Sequence, residues 1–223
     1  GSEMCIRDRT LSKRLDVPVR LEHDANSAAW GEWRYGAGRG AQEWVFFSVG
    51  TGIGATLFTE GRIYRGAFGT APEFGHLVVN PGGRLCSCGK RGCLERYASG
   101  TALPDTFADL RGQYETTLLE NPSGEDITAA ARQGDPLAAA VMKDFGQWLG
   151  QGLSMVADVL DPELIVIGGG VSQDADLYLD TARECMARQI VGAGHRPLAR
   201  VATAELGSAA GMIGVADLAR QER

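Results

Sequence analysis

One stretch constrains this chain more than any other: residues 76–95, HLVVNPGGRLCSCGKRGCLE, where a histidine and three cysteines crowd into sequence with no hydrophobic period. Apolar burial cannot organise such a run, so another source of order is expected. One imidazole nitrogen and three thiolate sulfurs complete a tetrahedral shell for Zn²⁺. His76, Cys86, Cys88 and Cys93 are therefore the expected zinc ligands, in preference to three unrelated thiols and a stray histidine. Four protein ligands leave no open position, so the metal is expected to be structural. Cys5 and Cys185 stand apart, and the odd total of five cysteines is the arithmetic of a metal site rather than of a disulfide framework. With no apolar signal segment at the start, the expected compartment is the reducing cytoplasm.

The rest of the chain reads as patterned α/β sequence. Trp44 to Val49 predicts a buried strand, Gly50 to Gly54 (GTGIG) a turn, Ala55 to Phe58 a returning strand, and Arg62 to Tyr64 a third after a turn at Glu60-Gly61. Val17 to Glu22 predicts a short strand leading to a helix over Ala25 to Trp33, with Asp24 on the turn between them. Residues 66–92 are expected to be loop. Leu11 to Leu15 predicts a helix end, and Ile127 to Arg132, Leu137 to Leu160 and Leu177 to Ile190 predict helices. Leu164 to Ile167 (LIVI) predicts a buried strand running into Gly168-Gly169-Gly170. The opening GSEMCIRDR has no period and reads as a non-native leader.

Composition removes several classes of function. With 44% hydrophobic and 22% charged residues the chain is neither disordered nor fibrous. Lys and Arg total 22 against 28 Asp and Glu, a net charge of −6, which opposes a nucleic-acid partner. The charge-free stretch Trp44 to Thr59 holds three glycines and falls short of the roughly 20 apolar residues of a membrane helix. Thirty-one glycines inside patterned sequence suggest close backbone approaches to a ligand.

Two carboxylates bracket the metal loop: Glu73 lies three residues before His76, and Glu95 two after Cys93. A metal-folded loop would hold both near one point, where they can accept hydrogen bonds from sugar hydroxyls, although exposed loop acids often have no specific role. GTGIG can present backbone N–H groups to phosphate or serve only as a hairpin, and Asp24 alone reads as a helix cap. Two glycine turns, a turn-borne Asp and a metal-held acid pair together suggest phosphoryl transfer to a polyol.

The strings EHDAN (22–26), GTGIG (50–54), EFGH (73–76), CSCGKRGCLE (86–95) and DPELIVIGGGVS (161–172) resemble the ROK family (repressor, open reading frame, kinase), most closely its actinobacterial-type glucokinase branch. The resemblance runs from about Leu11 to near the C-terminus and implies an actin-like, ribonuclease-H-like ATPase fold. It implies residues 10–28 as a remnant of a small N-terminal domain and hinge, 29–223 as a large sugar- and zinc-binding domain whose last helix returns to the small domain, and 1–9 as the leader. Asp24 matches the family's base, which takes the proton of the sugar 6-hydroxyl as it attacks the γ-phosphate of MgATP. His23, Asp24, Glu73, His76 and Glu95 match sugar ligands. Gly50, Thr51, Gly52 and Gly54 match a phosphate-side turn, and Gly168, Gly169 and Gly170 a nucleotide-side turn. Glucose or a related hexose and ATP are the implied partners, and a homo-oligomer, dimer or tetramer, the implied assembly.

Three departures qualify the resemblance. The family's phosphate hairpin, Asp-x-Gly-Gly-Thr, appears nowhere in the 223 residues, so this chain is expected to be a weak or inactive kinase. Detectable MgATP-dependent glucose phosphorylation would refute that. His23 stands where the family usually has Asn, and weaker sugar binding is expected. Pro72 replaces a Gly before Glu73, fixing φ and removing an N–H. The alternative readings are a sugar-sensing repressor domain of the same family and a non-catalytic sugar-binding remnant.

Overall fold

The computed structural model describes residues 3–19 and 21–221. Two helices come first, α1 (Glu3–Leu15) and α2 (Asp24–Tyr35), then the meander β1 (Trp44–Val49), β2 (Ile53–Thr59) and β3 (Arg62–Tyr64). After the long loop come α3 (Ala102–Leu110), α4 (Gly124–Arg132) and α5 (Pro136–Leu160). The chain ends with β4 (Leu164–Gly168), α6 (Leu179–Gln189), β5 (Arg200–Thr203) and α7 (Ala210–Gln221).

The five strands form one sheet in the order β3-β2-β1-β4-β5, with β1, β2 and β3 antiparallel and β1, β4 and β5 parallel. Side chains alternate across a strand, so the central strands must be apolar on both faces if both are covered. Val45, Phe47, Val49, Ile165 and Ile167 face the core built with α3 to α6, while Trp44, Phe46, Phe58, Leu164 and Val166 pack on the α2 side. This explains the unbroken apolar runs WVFFSV and LIVI. Helix α2 lies against α7 at glycines: a methyl on Gly214 would strike the carbonyl oxygen of Ser27, and one on Gly31 that of Ala210.

Several expectations need correction. The described residues of 17–22, which are 17–19, 21 and 22, are not a strand. Pro18 lacks an N–H, the Val19 N–H goes to Ser12 Oγ (2.9 Å), and the Leu21 N–H goes to Asp8 Oδ1 (2.8 Å), so α1 side chains take the donors a ladder would use. The predicted turns are tighter than read: Ile53 and Gly54 already belong to β2, and Gly168 to β4. Residues 3–9, read as a non-native leader, lie in helix α1, which does not bear on their origin; residues 1 and 2 and the side chains of residues 3–6 lie outside the described set. Helix α3 and strand β5 were not anticipated, and helix α7 was expected only from the resemblance, as a last helix without bounds. Pro104 interrupts the helical signal of the first, β5 is only four residues long, and glycines dilute the pattern of α7. Among the described residues no helix is long and apolar enough to cross a membrane.

Candidate functional site

The Cys/His loop folds back on itself. Backbone bonds pair Val79 and Asn80 with Gly92, Cys86 with Lys90, and Leu94 with Leu77. Gly89 (φ 89°) and Gly92 (φ 83°) both turn through the left-handed region, which is why the cysteines are interleaved with glycine. The ligand atoms of His76, Cys86, Cys88 and Cys93 all lie within 4.8 Å of one another. Cys88 Sγ and Cys93 Sγ are 3.6 Å apart, as are Cys86 Sγ and His76 Nδ1. That separation is far beyond the roughly 2.05 Å of a disulfide and matches the edge of a tetrahedron with Zn–S near 2.3 Å.

The protonation chemistry of the cluster fits a cation. Burial, with Cys88 and Cys86 against it, pushes the Cys93 thiol up to about 12. Burial raises Cys86 as well, whereas the Lys90 backbone N–H lowers exposed Cys88. A divalent ion would supply the positive charge that three crowded sulfurs lack.

Both bracketing acids sit at this loop. The Cys86 S–H points at Glu95 Oε1 (3.0 Å), and His76 Nδ1 is 3.6 Å from the same oxygen. The other face of the ring, Nε2, looks towards Glu73 Oε2 at 4.0 Å. Glu95 is largely buried, whereas Glu73 is mostly exposed. His76 therefore offers one nitrogen to the metal cluster and one to the side where Glu73 stands.

Helix α2 brings Asp24. The N-cap is His23 and Asp24 is the first helical residue, so the cap expected at Asp24 falls one residue earlier. The Asp24 carboxylate accepts the Ala25 N–H (2.7 Å), lies 3.1 Å from His23 Nδ1, and is 97% exposed, open to any substrate hydroxyl.

The glycine turn after β1 is where these pieces meet. A methyl on Gly52 would lie 2.9 Å from Glu95 Oε2, one on Gly54 would lie 3.3 Å from the Ala25 side chain beside Asp24, and one on Gly75 would strike the Ile53 carbonyl. Gly169, at φ 84°, packs equally tightly on the backbone of Val49, so the second glycine turn abuts the first. Gly170 faces open space. The turns follow the carboxyl ends of the parallel neighbours β1 and β4, the edge where open α/β sheets take ligands. Thr51 contributes its carbonyl, which accepts Thr101 Oγ1 at 2.6 Å, and Gly50 accepts the Gly100 N–H at 2.7 Å.

Sequence reading missed the support beneath Asp24. Glu22, itself in EHDAN, takes a two-pronged bond from Arg65 (2.8 and 2.6 Å) and single bonds from Asn26 Nδ2 (2.8 Å) and the His23 N–H (3.0 Å). Burial pushes its carboxyl up, but the Arg65, Asn26 and His23 bonds outweigh it and hold it below the ordinary range. The signal available was the Glu itself; its partner lies 43 residues away.

The ROK family model matches residues 7–222. A glucokinase from Streptomyces coelicolor is 41% identical over 221 residues, covering 95% of this chain and 70% of the relative. The crystal structure of a ROK family glucokinase from Streptomyces griseus in complex with glucose and AMPPNP superimposes with a TM-score of 0.85 at 41% identity, over 96% of this chain and 72% of that one. A ROK family transcriptional regulator, a homologue of the E. coli MLC protein, superimposes with a TM-score of 0.83 at 32% identity, over 94% of this chain and 53% of its own.

Proposed function

The chain belongs to the ROK family, and from that premise we propose that Asp24 is the general base of its phosphoryl transfer to glucose or a related hexose. The protein is a sugar kinase of the glucokinase type, an ATP-dependent phosphotransferase with the actin-like, ribonuclease-H-like ATPase fold; because the Asp-x-Gly-Gly-Thr hairpin is not among the 223 residues, the rate of this chain is expected to be low. The observation that carries the reading is the meeting of the Asp24 helix start, the EFGH segment and Glu95 on the single turn Gly50 to Gly54.

In this reading the Asp24 carboxylate accepts the proton of the sugar 6-hydroxyl as that oxygen attacks the γ-phosphorus of MgATP and ADP leaves. Phosphoryl transfer asks little covalent chemistry of the protein, so position and charge decide the rate. Glu73 and Glu95 accept hydrogen bonds from ring hydroxyls, His76 Nε2 reaches the sugar from the Glu73 side, and His23 makes a further contact beside the base. The turn of Gly50, Thr51, Gly52 and Gly54 takes the phosphate side, the Gly50 N–H itself being given to the Gly52 carbonyl (2.9 Å), and Gly168, Gly169 and Gly170 take the nucleotide side. His76, Cys86, Cys88 and Cys93 would hold zinc, whose contribution is to fix the loop that carries Glu95. Thiolate ligands suit a reducing compartment, which supports a cytoplasmic setting.

The test measures glucose-dependent ADP release from MgATP in the wild type and in Asp24→Asn. The exchange keeps a hydrogen-bonding group but no base, so the rate is expected to fall by about 10²–10⁴ from that of the wild type, with a far smaller change in glucose affinity. Equal rates would remove Asp24 from the base role. Glucose binding with no turnover, persisting after the Asp-x-Gly-Gly-Thr hairpin is restored, would instead favour the sugar-sensor reading that the likeness to the ROK regulator brings.

A further inference from the structure

The exposed carboxylate of Asp24 has little to hold it. Its described contacts are the Ala25 N–H and the His23 ring, both on adjacent residues, so its place relative to the sugar loop is set by the backbone of residues 22–26. That backbone is fixed from two sides. Asn26 Oδ1, buried, accepts Thr56 Oγ1 from β2 at 2.9 Å. Glu22, with only 10% of its side chain exposed, accepts both prongs of Arg65 together with the His23 N–H and Asn26 Nδ2.

Arg65 directly follows β3 and begins the segment that runs to Glu73; its carbonyl accepts the Ala71 N–H at 3.4 Å. One guanidinium therefore joins the turn bearing the base to the root of the segment bearing a sugar ligand. The planar fork matters here, because two parallel N–H···O bonds fix an orientation that a point charge does not.

We propose that Arg65, acting through Glu22, is a positioning residue that sets Asp24 against the sugar. The inference rests on the assignment of Asp24 as a sugar-contacting base. Arg65 itself touches neither the carboxylate of Asp24 nor, in this account, the substrate.

The experiment is a double-mutant cycle read as glucose affinity by calorimetry, which does not depend on turnover. Asp24→Ala is expected to weaken glucose binding by about tenfold or more, the loss of a charged hydrogen-bond partner. Arg65→Ala is expected to weaken it by a smaller factor, and the double variant to bind no worse than Asp24→Ala alone, because the interaction Arg65 supports is already gone. Arg65→Lys keeps the charge without the fork and should behave as Arg65→Ala does. A purely structural role would give factors that multiply, with Lys restoring wild-type affinity; either result overturns the proposal, as does wild-type affinity in Arg65→Ala. If Asp24→Ala binds like the wild type, the Asp24 assignment falls with it. Should Arg65→Ala fail to fold, Glu22→Gln takes its place in the cycle, with the same outcomes deciding.

Discussion

The two nitrogens of His76 face different neighbours, Nδ1 at 3.6 Å from Cys86 Sγ and Nε2 at 4.0 Å from Glu73 Oε2. The two duties can be separated. His76→Cys would keep four candidate metal ligands while removing the ring nitrogen that faces Glu73. We expect that variant to retain one zinc per chain by elemental analysis yet bind glucose about tenfold more weakly; unchanged affinity would confine His76 to the metal. Asp217 offers a prediction of another kind. The Trp30 indole N–H, with Tyr35 and Arg34, holds its carboxyl below the ordinary range against the opposing effect of burial. A depressed folded-state value means the stabilisation is present above the unfolded value near 4 and is lost as pH falls through the folded one. Acid unfolding should therefore be steeper below about pH 4 in the wild type than in Asp217→Asn, which lacks that titration. At this scale the sequence was legible where chemistry is local: His76, the three cysteines, Glu73 and Glu95 all fall in the 23 residues from Glu73 to Glu95. It was opaque for Glu32, wholly buried on α2, whose carboxylate accepts the N–H groups of Glu205 (3.0 Å) and Leu206 (2.7 Å), more than 170 residues away.

Helices and strands were legible wherever one pattern ran without interruption. The runs WVFFSV of β1 and LIVI of β4 were readable because strands covered on both faces demand continuous apolar sequence. Residues 17–22 carried a strand-like pattern too, but a strand needs partners, and here the backbone donors are taken by Asp8 and Ser12. Helix α7 was hidden by the glycines that let it approach α2. Those glycines differ in a way that can be measured on one element. A methyl at Gly214 would strike the Ser27 carbonyl, whereas Gly211 has nothing within 4 Å. Gly214→Ala should cost about 1–3 kcal/mol in denaturant unfolding, and Gly211→Ala should be neutral or stabilising by up to about 1 kcal/mol through helix propensity. Equal effects would mean that the α2–α7 crossing is looser than described.

The whole molecule gathers its chemistry at one end of the sheet. Parallel β1 and β4 release their two glycine turns side by side, α2 starts next to the first turn, and the Cys/His loop folds across it with Glu95 against Gly52. No single motif contains this arrangement. GTGIG and GGGV each read equally well as plain turns until the topology set them together, which is why the site was only partly legible in the sequence. The same arrangement makes sugar binding depend on the metal: if zinc orders the loop bearing Glu95, its removal should loosen that loop while the two apolar layers of the sheet persist. The most direct measurement is a calorimetric titration of glucose into the zinc-loaded protein and into the same protein after chelation. One glucose site per chain is expected with zinc and at least about tenfold weaker binding without it, circular dichroism of the helices being largely retained. Equal affinity in the two forms, or no glucose binding in the loaded form, would contradict this expectation.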